Sequence, residues 1–133
     1  MIYFFDTNIC IHILNGSSQC VVDKLEKIGV DAVAIPTTVA AELAYGAFKS
    51  TKRDYNLNRL REFIRLFPVV GFDSAAIEIY GEIRADLERK GTPIGANDYF
   101  IAATVKANGG VLVTNNTKEF SRVSELFIED WTQ

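Results

Sequence analysis

Four acidic residues stand where a fold of alternating strands and helices can bring them together. Asp6 follows the apolar run Ile2-Tyr3-Phe4-Phe5 and precedes Thr7-Asn8. Glu42 lies in a helical stretch beside apolar neighbours, Asp98 opens a later one, and Glu119 comes a turn after Thr114-Asn115-Asn116. In an open parallel α/β sheet, ligands bind in the crevice beyond the carboxyl ends of the strands. Polar residues placed directly after buried strands therefore tend to meet. Carboxylates gathered there repel, two of them ~4 Å apart costing ~4 kcal/mol at an effective dielectric near 20. A divalent cation offsets that repulsion, and the pattern points to a Mg²⁺ or Mn²⁺ site.

Each of these residues also has a plainer use. Asp6, Thr7 and Asn8 are all good helix caps, yet three in succession leave one free, and Asp6 is the expected ligand. Helical carboxylates usually face water. Glu42, however, has Val39, Leu43 and Gly46 beside it on the helix surface, and an inward carboxylate is costly unless paired or metal-bound. Asp98 can complement a helix dipole, but the segment after it, Tyr99-Phe100-Ile101-Ala102-Ala103, is almost wholly apolar. That helix enters a core, so its first acid faces a cleft. Asn115, Asn116 and Glu119 can form a polar loop with a cap for a short helix over 117–120. Alternatively, Asn116 orients a water or a phosphate and Glu119 adds a carboxylate.

The elements that must position them are short apolar runs alternating with longer helical patterns, the mark of βαβ units around a mainly parallel sheet of four to five strands. Strands are expected at 2–5, 33–35 (closed by Pro36), 69–70, 111–113 and 127–129. Helices are expected from Asn8 to about Leu14, over 19–28, and from a cap at Thr37 or Thr38 to about Phe48. Further helices are expected over 54–66, from a cap at Asp73 or Ser74 to Gly91, and from Asp98 to about Asn108. The inward stripes are Val39, Leu43 and Ala47, with Ala40, Ala44 and Phe48 beside them, and Leu57, Leu60, Ile64 and Phe67. No linker or repeat interrupts the pattern, so residues 1–133 read as one domain.

With 133 residues, 48% of them apolar, the chain can bury a real core. A net charge of -3 and a pI near 5.1 argue against a general nucleic-acid coat. They leave room for an acidic metal cluster with a basic rim drawn from Lys49, Lys52, Arg53, Arg59, Arg61, Arg65, Arg84, Arg89 and Lys90. Cys10 and Cys20 form no paired motif and read as reduced thiols of a cytoplasmic protein. His12 is the only histidine, too few for a zinc site. Nothing approaches a signal peptide or a membrane span.

Taken in order, Asp6-Thr7-Asn8, Glu42, Ile94-Gly95-Ala96-Asn97-Asp98 … Ile101-Ala102-Ala103, and Val113-Thr114-Asn115-Asn116 … Glu119-Phe120 resemble the PIN domain. More narrowly, the chain is similar to the VapC toxins of bacterial toxin–antitoxin pairs, over essentially its whole length to Ile128-Glu129-Asp130-Trp131. The resemblance implies a PIN-like three-layer α/β/α fold and a Mg²⁺-dependent endoribonuclease that cuts RNA, including structured RNA such as tRNA. It also implies a VapB-type antitoxin as hetero-oligomeric partner, and a homodimer. Asp6, Glu42 and Asp98 match the family's acidic positions. Many members carry Asp where Asn116 stands, and some relatives place an acid where Glu119 falls, so the fourth position lies between these two. In this reading Asp6 and Asp98 are the primary ligands and Glu42 supports a coordinated water or a second ion. Thr7, Asn8, Thr114 and Asn116 hydrogen-bond the carboxylates or the phosphate. Cleavage without 2′-hydroxyl attack leaves a 5′-phosphate and a 3′-hydroxyl, and His12 is not required.

Other classes fit less well. A non-catalytic module that holds RNA or protein draws support from the departure at Asn116. An aspartate-nucleophile phosphatase wants an acid at position 8, where Asn stands. A dinucleotide-binding domain wants a glycine-rich turn after the first strand, and Asp6-Thr7-Asn8 has none. A phosphoacceptor receiver wants a lysine just after a late strand, and Lys118 is poorly placed for that.

Overall fold

The computed structural model describes residues 1–133. Five strands, β1 (Tyr3–Phe5), β2 (Val33–Pro36), β3 (Val69–Val70), β4 (Val111–Val113) and β5 (Phe127–Glu129), form one sheet in the order β3-β2-β1-β4-β5. Every pairing is parallel. Seven helices connect them: α1 (Thr7–Asn15), α2 (Gln19–Ile28), α3 (Thr37–Lys49), α4 (Arg53–Leu66), α5 (Ser74–Arg89), α6 (Ala96–Ala107) and α7 (Thr117–Phe120). A single 3₁₀ turn over Val30–Ala32, which the sequence did not suggest, leads into β2.

Successive strand residues point to opposite faces of a sheet. Phe4 and Phe5 are both fully buried, and so are all of β2 and β4. Both faces of the sheet are therefore covered, which is the three-layer arrangement. The central strands β1, β2 and β4 are wholly apolar because a doubly covered parallel strand has no polar face to show. β1 and β4 approach closely at Gly110, where a Cβ would lie 2.5 Å from Phe4 Cε2 and 2.8 Å from the Ile2 carbonyl oxygen. Only glycine leaves room for the Phe4 ring there.

The helices follow their apolar stripes with a few instructive departures. On α3, Val39, Leu43 and Ala47 are buried as expected, but Phe48 is 60% exposed. It sits about 100° around the helix from Ala47, beyond the buried row. On α4, Phe63 joins Leu57 and Leu60 in the core, ahead of half-buried Ile64. Its ring packs on Phe67 at 5.0 Å between centroids, and Phe67 packs on Phe5 at 5.8 Å. Aromatic contact decides which of two adjacent residues turns inward.

Neither Thr37 nor Thr38 caps α3. Pro36, the last residue of β2, takes the N-cap place without a side-chain hydrogen bond. Asp73 does cap α5, accepting from the Ala75 amide at 3.1 Å. Helix α6 begins two residues before Asp98, which stands in its first turn. Cys10 is buried and Cys20 exposed, and both are free thiols. No helix is long and apolar enough to cross a membrane.

Candidate active site

The strand order reverses beside β1: the chain builds outward through β2 and β3, then returns to place β4 and β5 on the other side. Such a switch point opens a crevice at the carboxyl edge of the sheet. Asp6 leaves β1 at that crevice, 7% exposed, its amide donating to the Val113 carbonyl at 2.9 Å. Its carboxylate is held at both oxygens. Oδ1 accepts from the Thr7 amide at 2.9 Å, so Asp6 caps α1, and Oδ2 accepts from the Thr114 hydroxyl at 2.7 Å. The capping and cleft readings of Asp6 are thus not rivals. Burial raises its pKa, while the hydrogen bonds from Thr114 and Thr7 act in the opposite direction.

Thr114 follows β4 and is fully buried. Its hydroxyl donates to Asp6 and accepts from the Asn116 amide at 2.9 Å, which ties the ends of β1 and β4 together. On the other flank, the Thr7 hydroxyl donates to Glu42 Oε2 at 3.0 Å. Glu42 is half-buried and lines the cleft together with Asp6, Thr7, Asn8, Asp98, Asn115 and Asn116. No apolar residue is among these seven. Glu119, on α7, accepts from Asn116 Nδ2 at 3.3 Å.

Four separated segments thus bring four acids into one electrostatic neighbourhood. Asp98 registers all of them: its carboxyl is pushed up to about 6, first by burial, then by the charges of Asp6, Glu119 and Glu42. The donor set is oxygen throughout, which suits a hard cation such as Mg²⁺ or Mn²⁺ rather than zinc. As the side chains stand, no three of these carboxylates are gathered closely enough to enclose an ion.

Of the site residues expected from the sequence, Asp6, Thr7, Glu42 and Asp98 line this cleft. Asn8 and Asn116 line it, Thr114 stands behind Asp6, and Glu119 reaches it through charge rather than by lining it. Asn115, read from the sequence only as part of a polar loop, is a lining residue. Its place two residues past β4 was the available signal. His12 is bonded to Ser17 at the far end of α1, outside the cleft. Burial and then the charge of Asp6 push the Cys10 thiol far up, favouring its protonated form. Of the basic residues proposed for a rim, Arg59 donates to the Leu14 carbonyl and to Asn15 Oδ1 at the end of α1. Arg84 is engaged by Tyr80 and Glu88, and Arg89 and Lys90 by Asp86.

A five-stranded parallel sheet of this order, with acids beyond its central strands, defines a class, and the chain belongs to the PIN domain family, matched over residues 3–126. Ribonuclease VapC2 of Rickettsia felis is 40% identical over 132 residues, covering 98% of each chain. The tRNA(fMet)-specific endonuclease VapC of Shigella flexneri is 37% identical over 130 residues, again 98% of each. Within the PIN domains, the chain therefore groups with the VapC ribonucleases. The crystal structure of VapBC2 from Rickettsia felis, bound to a DNA fragment from their promoter, matches with a TM-score of 0.92 at 39% identity, over 98% of this chain and 99% of that one. DNA-bound VapBC from Salmonella typhimurium matches with the same TM-score, 0.92, at 36% identity over 98% of both chains.

Proposed function

We propose that this chain is the toxin of a VapBC-type pair: a cytoplasmic, divalent-metal-dependent endoribonuclease, acting as a single domain and restrained by a VapB-type antitoxin. The observation that carries this reading is the convergence of Asp6, Glu42, Asp98 and Glu119 at the switch point of the sheet. Burial, and after it the charges of Asp6, Glu119 and Glu42, push the Asp98 carboxyl up to about 6, and a cation offsets the repulsion among them. The identity of its relatives as ribonucleases supports RNA as the substrate. The tRNA-specific name of one of them makes structured RNA such as tRNA the first substrate class to try.

Asp6, Asp98 and Glu42 would hold Mg²⁺ or Mn²⁺, with either Asn116 or Glu119 in the fourth place. When bound, such an ion lowers the pKa of water, polarises the scissile phosphate and stabilises developing charge. The protein's own groups do the rest. Thr114 and the Thr7 amide fix both oxygens of Asp6, Thr7 Oγ1 aims Glu42, and Asn116 Nδ2 holds Glu119. Asn8 and Asn115 offer amide donors to the phosphodiester from the exposed wall of the cleft. Water adds to phosphorus, the bond from phosphorus to the 3′ oxygen breaks, and that oxygen takes a proton. The products carry a 5′-phosphate and a 3′-hydroxyl.

An adjoining groove between α1, α3 and α4, lined by Ile11, Leu14, Leu43, Leu60 and Arg59, shares Thr7 and Glu42 with the cleft. An antitoxin segment seated there would cover the acids. A second reading, a PIN-like module that binds RNA or protein without cutting, is favoured by one observation, the wide spacing of the carboxylates. Incubating the purified protein with total tRNA and Mg²⁺ separates the two. The expected outcome is cleavage that disappears with a chelator and in Asp98→Asn. Binding without cleavage across several RNA classes and metals would put the binding module first.

A further inference from the structure

The loop before α6 is anchored by Ile94, which is buried and whose amide donates to the Tyr99 hydroxyl at 3.2 Å. Gly95 then caps α6, its carbonyl accepting from the amides of Asp98 at 3.0 Å and Tyr99 at 3.3 Å. Two ordinary reasons for a glycine are missing here. Its φ of -59° and ψ of 150° lie in the polyproline region open to any residue. As an N-cap, glycine supplies no side-chain acceptor, and Ser, Asp or Asn would serve the helix better. What a side chain would meet is Asp98. A Cβ at position 95 would stand 3.0 Å from Asp98 Oδ2 and 3.6 Å from its Cγ, and nothing else outside the adjoining backbone comes within 4 Å.

We propose that Gly95 is a positioning residue: its missing side chain leaves the space in which the Asp98 carboxylate stands. The inference rests on the reading above, in which Asp98 holds a divalent cation. The atom that would have to give way is the free end of a side chain, not backbone. A residue added at 95 therefore displaces the carboxylate by a few tenths of an ångström and spares the fold. Stability and metal binding should then move independently, which a purely structural glycine would not allow.

The test uses the intact chain, with Mn²⁺ as probe, measured by titration calorimetry, and melting temperature measured in chelator. Gly95→Ser and Gly95→Ala are compared with Asp98→Asn and with Gly81→Ala, a helical glycine on α5 with nothing within 4 Å of its added Cβ. Gly95→Ser should melt at or above the parent temperature while its Mn²⁺ affinity falls roughly 10- to 100-fold, the usual loss when the support of a metal ligand is disturbed. Gly95→Ala should lose affinity similarly, and Gly81→Ala should lose none. Parental affinity in both Gly95 variants, with affinity lost in Asp98→Asn, overturns the role of Gly95 and leaves the metal reading standing. Parental affinity in Asp98→Asn overturns the metal reading itself and the inference with it. A drop in melting temperature that tracks the loss of affinity in both Gly95 variants also overturns the proposal, because the glycine then serves the helix.

Discussion

Asp98 stands in the first turn of α6 with its carboxyl pushed up to about 6, burial acting first and the charges of Asp6, Glu119 and Glu42 after it. An unfolded aspartate titrates near 3.8. Between about pH 4 and about 6, then, the folded chain keeps a proton that the unfolded chain has lost, and stability falls as pH rises through that window. Asp98→Asn removes the charge while keeping the shape. Taking about 1 kcal/mol for a half-exposed group whose repulsion solvent screens, the metal-free variant should melt roughly 3–6 °C higher at pH 7. Below about pH 4 the gain should vanish. Melting curves at both pH values in chelator check this, and an unchanged or lower midpoint at pH 7 would contradict the repulsion assigned to the site.

The strands matter to the site through their ends. β1 and β4 are only three residues each, and what fixes their relative placement beyond the sheet is the Thr114 hydroxyl between Asp6 and the Asn116 amide. Thr114→Val keeps the volume and deletes the hydroxyl, leaving a buried carboxylate short of one donor and an amide without its acceptor. The expected loss is about 2–3 kcal/mol at pH 7 by chemical denaturation. It should shrink as pH falls, because the hydrogen bond from Thr114 favours ionised Asp6 and matters less once Asp6 is protonated. Thr114→Ser should restore most of it. The sequence made these two strand ends legible because their apolar runs stop at polar residues, Asp6 and Thr114. It could not show that Thr114 serves two partners at once, one of them 108 positions away. The cap of α3 was misread for a related reason: Thr37 and Thr38 are good caps locally, but β2 runs through Pro36 and leaves them inside the helix.

Over the whole molecule, several large side chains remain uncovered: Tyr45 is 65% exposed, Phe48 and Tyr55 60%, and Ile77 58%. These side chains are open to a partner, and the family resemblance implies two, a second copy of the chain and an antitoxin. Light scattering on the purified protein should give about twice the chain mass of 14.8 kDa, and a single-chain mass at every concentration tested would remove the dimer. A co-expressed antitoxin that remains bound through purification should suppress RNA cleavage, which its removal restores.

What the sequence determined by itself was local and periodic: the alternation of apolar runs and amphipathic stretches, with Asp6 where the first run ends and Asp98 near the start of a helical one. These follow from the spacing of side chains along a strand or a helix, which needs no knowledge of the fold. The order β3-β2-β1-β4-β5 was decided only in three dimensions, and with it the meeting of residues 6, 42, 98, 114 and 119. So were the inward turn of Phe63 and the open space that Gly95 leaves beside Asp98. Each depends on which distant atoms arrive within a few ångströms, and contact at that range is set by how the packed layers fit rather than by any pattern along the chain.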